Sequence, residues 1–426
     1  MLNIGDALTR VMTGAAPLGS ERVPLEAAHE RRLATGLLAR MDSPPFANSA
    51  MDGYALRSSD LTAAAPDAPV WLPVVGESSA GVTSVPECAP GGAVRIFTGA
   101  PLPLGADCVV IQENVTREGQ RAAFRAPAAT GQNVRQQGED VAVGQPLLAA
   151  GARLRAGELG LLASQGIGVV DVVRRPRVGI LSSGDELRRL DEPERPGSIV
   201  NSNAYMLEAL VRDAGGIPDV RPLAADRLDA LTESVEAALE ANDVVLSTGG
   251  VSVGDHDLMR DAFVAAGVEM GFWKVAIKPG KPLAFGRRPD GRAVIGLPGN
   301  PVSAFVTYEV LVRPLLQVLG GHKAPYRAHL RATLQTTVKR TRDRDELLRG
   351  QLVADPSSPS AFACVPVARR GSGALPSLAG VDVLLLVPMG DGELAAGSTI
   401  DCLPLFDAPT VAQSPFVAAI QAPGKI

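Results

Sequence analysis

From Arg175 onward, short apolar runs alternate with longer segments whose apolar residues recur every three to four positions. RVGIL, PDVRPL, DVVLS and AVIGLP read as strands, the most apolar of them buried on both faces. Between them NAYMLEALVRDAG, RLDALTESVEAALE and HDLMRDAFVAAG carry a helical stripe, and VSAFVTYEVLVRPLLQVLG follows the last strand. Strand and helix in strict alternation predict a doubly wound α/β domain with a mostly parallel sheet.

The flanks have other rhythms. Leu25, Ala28, Leu33 and Leu37 are spaced for a helix over Val23–Arg40, with Pro24 near its start. From Pro44, the pieces VWLPVVG, AVRIFTG and DCVVIQE are punctuated by Gly and Pro, as in a small all-β domain. GQPLLAAGARLRAGELGLLASQG then returns to a turn and a helix, so the β domain is inserted between two parts of one helical segment. The expected fold is multidomain α/β: a helical linking domain (1–43 and 140–174), an inserted β domain (44–139), the α/β domain (175–321), a C-terminal β domain (322–408) and a loosely ordered tail (409–426). VLLLVPM, Val383–Met389, reads as a buried strand of the C-terminal domain.

Composition narrows the partners. With 426 residues, 46% of them hydrophobic, the chain can fill several cores. Lys and Arg total 41 against 46 Asp and Glu, a net charge of -5, so the balance argues against a nucleic acid partner, and an anionic ligand must be held locally. The opening MLNIGDALTRVM has Asp6 where a signal peptide needs an apolar core, and no apolar stretch approaches the roughly 20 residues of a membrane helix. Cys88, Cys108, Cys364 and Cys402 lie far apart without a CxxC spacing, which argues against zinc and predicts reduced thiols in a cytoplasmic protein.

In an open parallel sheet the ligand sits beyond the carboxyl ends of the strands. Those ends lead into SSGDEL (Ser182–Leu187), Asp226, STGGVSVGDHD (Ser247–Asp257) and GNP (Gly299–Pro301). The glycines let backbone amides approach an anion, while the carboxylates have the wrong sign for phosphate alone and suggest a divalent cation between them and the ligand. Oxygen donors, with only His256 nearby, favour Mg²⁺. A solvated turn explains TGG equally well by pattern alone. FWKVAIKPGKPLAFG gathers Lys274, Lys278 and Lys281 around a turn; it is no Walker loop, and it is either a surface hairpin or the positive charge an anionic ligand needs. SPPFANSAMDGYAL, RIFTGAPLPLGADCVVIQE and GQNVRQQGED place Asp52, Thr98 and Asp140 in polar stretches that pattern alone would read as β-turns.

Taken in order, SPPFANSAMDGYA, RIFTGAPLPLGADCVVIQE, GQNVRQQGED, SSGDEL, NSNAY, STGGVSVGDHD, KVAIKPGKPLAFG and GLPGNPVSAF resemble the motif series of the molybdopterin molybdenumtransferase (MoeA) family, related to the gephyrin E domain. The resemblance is strong over Pro44–Leu319 and looser around GSGALPSLAG near Gly371. It implies an enzyme that converts adenylylated molybdopterin and molybdate to molybdenum cofactor and AMP with a divalent cation. It also implies a homodimer whose cleft joins the α/β domain of one subunit to the small β domain of the other, with a molybdopterin adenylyltransferase and molybdoenzymes as further partners.

By that resemblance Glu186, Asp226, Asp257, Lys274 and Lys278 are catalytic residues of the α/β side, and Asp52, Thr98 and Asp140 face them from the second subunit. Glu186 and Asp257 would organise the metal. Ser183, Gly184, Asp185, Ser247, Thr248, Gly249, Gly250, Ser252 and Lys281, with Pro298, Gly299, Asn300 and Pro301, would hold the pterin phosphate and the nucleotide. Three positions depart from the family pattern: Ala47 for a common Asp, Ser183 for Thr, and Arg260 for Lys. Ser183 and Arg260 keep a hydroxyl and a charge, whereas Ala47 loses a carboxylate. A pterin adenylyltransferase shares the TGG and PGNP pattern but lacks the inserted β domain, and a non-catalytic scaffold would not need the carboxylates and lysines.

Overall fold

Six strands build the central sheet of the computed structural model, in the order Ile217–Val220, Arg177–Ser182, Val244–Thr248, Ala293–Leu297, Pro282–Arg287 and Glu269–Lys274. The first four run parallel; Pro282–Arg287 is antiparallel to both its neighbours, so Glu269–Lys274 points the same way as the first four. Val244–Thr248 and Ala293–Leu297 are buried at every residue, which is why their sequences are apolar without alternation. Because the four parallel neighbours are in register, Ser182, Thr248 and Leu297 end on one edge, and a bridge from Ser183 to Ala224 brings the fourth strand's loop to it.

The structure describes residues 1–82, 84–249, 258–355, 362–368 and 371–405. They divide into two units, Arg22–Val172, and Met1–Glu21 together with the described residues from Val173 onward. Residues 1–21 join the α/β unit because Ile4–Met12 forms a helix, capped by the Asn3 side chain on the Asp6 N–H at 2.7 Å, whose Ala7 and Val11 enter the α/β core.

The run Pro301–Leu319 is 19 residues long and apolar enough in composition to cross a membrane, but 83% of it is buried inside the protein, as a core helix. Its middle, Tyr308–Val312, is a π-helical turn, and the Tyr308 hydroxyl donates to the Leu210 carbonyl at 2.8 Å.

Beyond it, Asp345–Ala354, Phe362–Pro366, Leu330–Leu334, Thr399–Pro404 and Val383–Val387 pair in that order, and the last pairs back with the first to close a barrel. Closure removes the sheet edges, and Leu334, Leu348, Cys364, Leu385 and Cys402 fill its core. Ile277–Lys278 pairs with Asp345 and Glu346, fastening the lysine-bearing hairpin of the α/β sheet to this barrel. The tail over 409–426 lies outside the described residues.

In the other unit, Cys108–Ile111, Gly53–Leu56, Ala93–Ile96, Val70–Ser78, Arg121–Phe124 and Val115–Glu118 form a six-stranded sheet in that order. Gly53 is obligatory there, since a Cβ would stand 2.1 Å from the Val110 carbonyl oxygen. The helix expected over Val23–Arg40 does not form. Ser20–Pro24 is a strand, Leu25–Ala27 a single 3₁₀ turn and Leu37–Leu38 a two-residue strand, while Glu30 has φ 64°, which no helix interior accepts. Ala28 and Leu33 reach a common core with Leu154 and Leu162 from short strands and turns rather than from one helical face. Within Arg22–Val172 the only α-helix among the described residues is Ala156–Ser164. All four cysteines are free and buried.

Candidate functional site

At the carboxyl edge of the parallel strands lies a cavity of about 630 Å³. Its floor is made by two glycine turns from adjacent strands. Gly249 follows Thr248 with φ +86°, and a Cβ on it would lie 2.8 Å from the Ser183 carbonyl oxygen. A Cβ on Gly299 would come within 3.7 Å of the Gly249 α-carbon, so the two turns lie backbone to backbone. Below them Ser182 Oγ and Thr248 Oγ1 share a hydrogen bond of 3.0 Å.

Eight of the residues singled out by sequence line this cavity: Ser183, Glu186, Thr248, Gly249, Pro298, Gly299, Asn300 and Pro301. Ser247 does not. Strand alternation sends it to the face opposite Thr248, where it is fully buried and its hydroxyl lacks a partner. Gly250, Ser252 and Asp257 lie outside the described residues.

Acidic groups crowd one side. Gly184 has φ +142°, and the Glu186 carboxylate lies over it, 2.5 Å from where a Cβ would stand. Partial desolvation pushes the Asp226 carboxyl above its ordinary range, Asp185 and Glu186 push it further, and hydrogen bonds from the Ser183 side chain and the Asp185 backbone oppose them. Among the described residues no group of three His, Cys, Asp or Glu is arranged to hold a metal ion.

The lysines are spread out. Lys274 and Lys281 are exposed, and Lys281 precedes Pro282, which lines the cavity. Lys278 was expected to meet ligand oxygens, but its ammonium sits 3.2 Å from Glu346 Oε2 and 3.3 Å from Thr341 Oγ1 of the barrel. Pairing of its strand with Asp345 and Glu346 places it there. Arg260, the departure from Lys, lies over the Trp273 ring at 4.8 Å.

Sequence reasoning missed the cavity's apolar wall, Leu187, Ile199, Val200 and Leu375, and its asparagines Asn201 and Asn203. Their signals were the end of SSGDEL for Leu187, NSNAY for the asparagines and GSGALPSLAG for Leu375. Barrel residues close this wall: Asn300 Nδ2 donates to Ser372 Oγ at 3.1 Å, and the Val302 N–H to the Ser372 carbonyl at 3.1 Å.

In the unit Arg22–Val172, Asp52 accepts from the Thr98 backbone N–H and hydroxyl, which hold its carboxyl below the ordinary range. Arg95 lies between Tyr54, at 5.1 Å, and Phe97, at 4.9 Å, and adds a smaller electrostatic pull on Asp52. Asp140 is exposed, and its N–H donates to the Ser43 carbonyl at 2.9 Å.

A parallel-strand edge with paired glycine turns, joined to a β barrel and carrying an inserted β sheet, defines a pterin-handling multidomain protein once sequence models are compared. The MoeA N-terminal region (domain I and II) matches residues 2–166, a probable molybdopterin binding domain matches 179–318, and the MoeA C-terminal region (domain IV) matches 331–405. The chain belongs to the MoeA family. It is 37% identical over 385 residues to molybdopterin molybdenumtransferase 2 of Mycobacterium tuberculosis, spanning 89% of this chain and 93% of that one. To the molybdopterin molybdenumtransferase of Haemophilus influenzae it is 34% identical over 414 residues, 95% of this chain and 98% of the other. The crystal structure of the MoeA protein from Pyrococcus horikoshii OT3 matches with a TM-score of 0.81 at 30% identity, covering 95% of this chain and all (100%) of that one.

Proposed function

We infer that this molybdenumtransferase completes the molybdenum cofactor from adenylylated molybdopterin and molybdate, with Mg²⁺, releasing AMP. The observation that carries the reading is the cavity itself: two glycine turns present backbone to a ligand directly beside Glu186 and the Asp185–Asp226 cluster. Turns of that kind suit the phosphate end of a pterin, and the carboxylates suit a cation that neutralises it.

The donor set fits Mg²⁺, since the groups on this edge are oxygen donors and their mutual repulsion on Asp226 calls for positive charge. Glu186 would hold the ion, together with Asp257, which lies outside the described residues. When bound, the ion supplies charge neutralisation on the phosphoanhydride oxygens. The chain's own groups orient the substrate: Ser183, Thr248 and the Gly249 and Gly299 turns fix the pterin phosphate, and exposed Lys274 and Lys281 attract molybdate. A solvent or molybdate oxygen then forms the new bond to phosphorus while the bond to the AMP oxygen breaks.

Asp52, Thr98 and Asp140 act in this reading from a second copy of the chain, in a homodimer. Exposed Leu38, Met41, Phe46 and Val143 offer apolar surface for association, and the Val143 N–H, donating to Asp42 at 2.8 Å, holds Val143 to the stretch that carries Met41. The reading also places the enzyme in the cytoplasm, supplied by an adenylyltransferase and serving molybdoenzymes. The test is AMP release from adenylylated molybdopterin, with molybdate and Mg²⁺ withheld in turn. Release that needs both supports the reading; tight pterin binding without release under any condition would make the protein a carrier.

A further inference from the structure

Tyr54 and Arg95 stand opposite each other on the antiparallel strands Gly53–Leu56 and Ala93–Ile96, so their side chains share one face of the inserted sheet. From there the Arg95 guanidinium crosses Gly53–Leu56 towards the end of Cys108–Ile111. Nη1 donates to the Gly53 carbonyl at 3.0 Å, Nη2 donates to Gln112 Oε1, and the planar group lies between the rings of Tyr54 and Phe97.

Three of these four contacts bear on the Asp52–Thr98 pair. Gly53 follows Asp52, Phe97 precedes Thr98, and the Gln112 N–H donates to the carbonyl of Asp52 itself at 3.0 Å. The ladder between the two strands ends at Gly53 and Ile96, short of both members of the pair, so the approach of their loops depends on contacts beyond it. The guanidinium supplies a connected set of such contacts from one rigid group. A lysine ammonium has neither the fork for two fixed acceptors nor the flat faces for two rings. Both Thr98 bonds fall on Asp52 Oδ1, and no donor among the described residues meets Oδ2, which is therefore the oxygen free to act.

We propose that Arg95 is a positioning residue of the reaction, fixing the Asp52 and Thr98 loops to each other and so the direction in which the Asp52 carboxylate is presented. The proposal rests on the reading that Asp52 and Thr98 act in molybdenum transfer.

The experiment compares full-length wild type, Arg95→Lys, Asp52→Asn and the double variant in AMP release from adenylylated molybdopterin. Arg95→Lys keeps the charge and loses the fork and the flat faces, so kcat is expected to fall about tenfold while KM stays within about threefold. In the Asp52→Asn background the same change is expected to cost less than about twofold, because an effect exerted through Asp52 vanishes with its carboxylate. Without substrate, the Asp52 carboxyl titration followed by NMR is expected to move up in Arg95→Lys, since the charge is retained and only the Thr98 bonds slacken. Gln112→Leu removes the guanidinium's far anchor and keeps the backbone bond to Asp52; it is expected to move the same titration by less, and it keeps the test decisive if Arg95→Lys does not fold. An unmoved titration in both variants, or an equal loss of kcat with and without the Asp52 carboxylate, would overturn the proposal. Wild-type protein that released no AMP under any condition would overturn the functional reading and this proposal together, whereas normal wild-type turnover beside an unmoved titration would overturn only this one.

Discussion

Thr98 closes on a single oxygen of Asp52 from two groups, its backbone N–H at 2.8 Å and its hydroxyl at 2.7 Å. Both bonds favour the ionised carboxylate, so the folded pKa lies below the ordinary aspartate value. A depressed folded pKa contributes stability that is complete above the unfolded value and is lost as pH falls through the folded one. Thr98→Val keeps the N–H bond and removes the hydroxyl bond, so the Asp52 titration followed by carboxyl NMR should move part of the way back up. An unmoved titration would mean that Thr98 is not the cause.

Asp226 behaves in the opposite sense. Its folded pKa is raised, by partial desolvation first and by Asp185 and Glu186 next, so stability is complete below the ordinary aspartate range and is lost as pH rises through the raised value. Asp226→Asn should therefore melt slightly higher than wild type at neutral pH, by ~1–2 °C given how exposed the group is. It should also gain less Tm on addition of Mg²⁺. A larger Mg²⁺ gain in the variant would contradict a cation at this edge.

The floor of the cavity has no room for a side chain at Gly249. With φ +86° and a Cβ only 2.8 Å from the Ser183 carbonyl, Gly249→Ala should cost about 1–3 kcal/mol and displace one glycine turn from the other. Thermal unfolding and molybdopterin binding should both suffer. Wild-type affinity in a destabilised variant would show that the turn is structural only.

If one cleft is assembled from two subunits, Asp52→Ala and Glu186→Gln proteins, each nearly inactive, should complement each other. Random mixing at equal amounts puts about one quarter of all clefts together from wild-type halves. Co-expressed subunits should thus recover about that share of activity. No recovery in verified mixed dimers would place both residues in a cleft within one chain.

The α/β domain was legible because its central strands are buried on both faces: Val178, Ile180, Val244, Leu246 and Ile295 stand in apolar runs with little alternation. The cavity followed from the edge rule, which needs only strand order and direction. Val23–Arg40 misled because Ala28 and Leu33 serve a core built from turns and two-residue strands, and their spacing imitates a helical stripe. The N-terminal helix carried its signal in Asn3, Ala7 and Val11, but its packing on a domain more than 160 residues away in sequence is tertiary information. The same holds for Lys278, whose partner Glu346 belongs to the barrel.

The most direct test counts two products in one sample: AMP released and molybdenum bound to the pterin dithiolene, in a single turnover with enzyme in excess over adenylylated molybdopterin. The account predicts equal amounts, both absent without molybdate. AMP released at the same rate without molybdate, or molybdenum inserted while the adenylyl group stays in place, would contradict it.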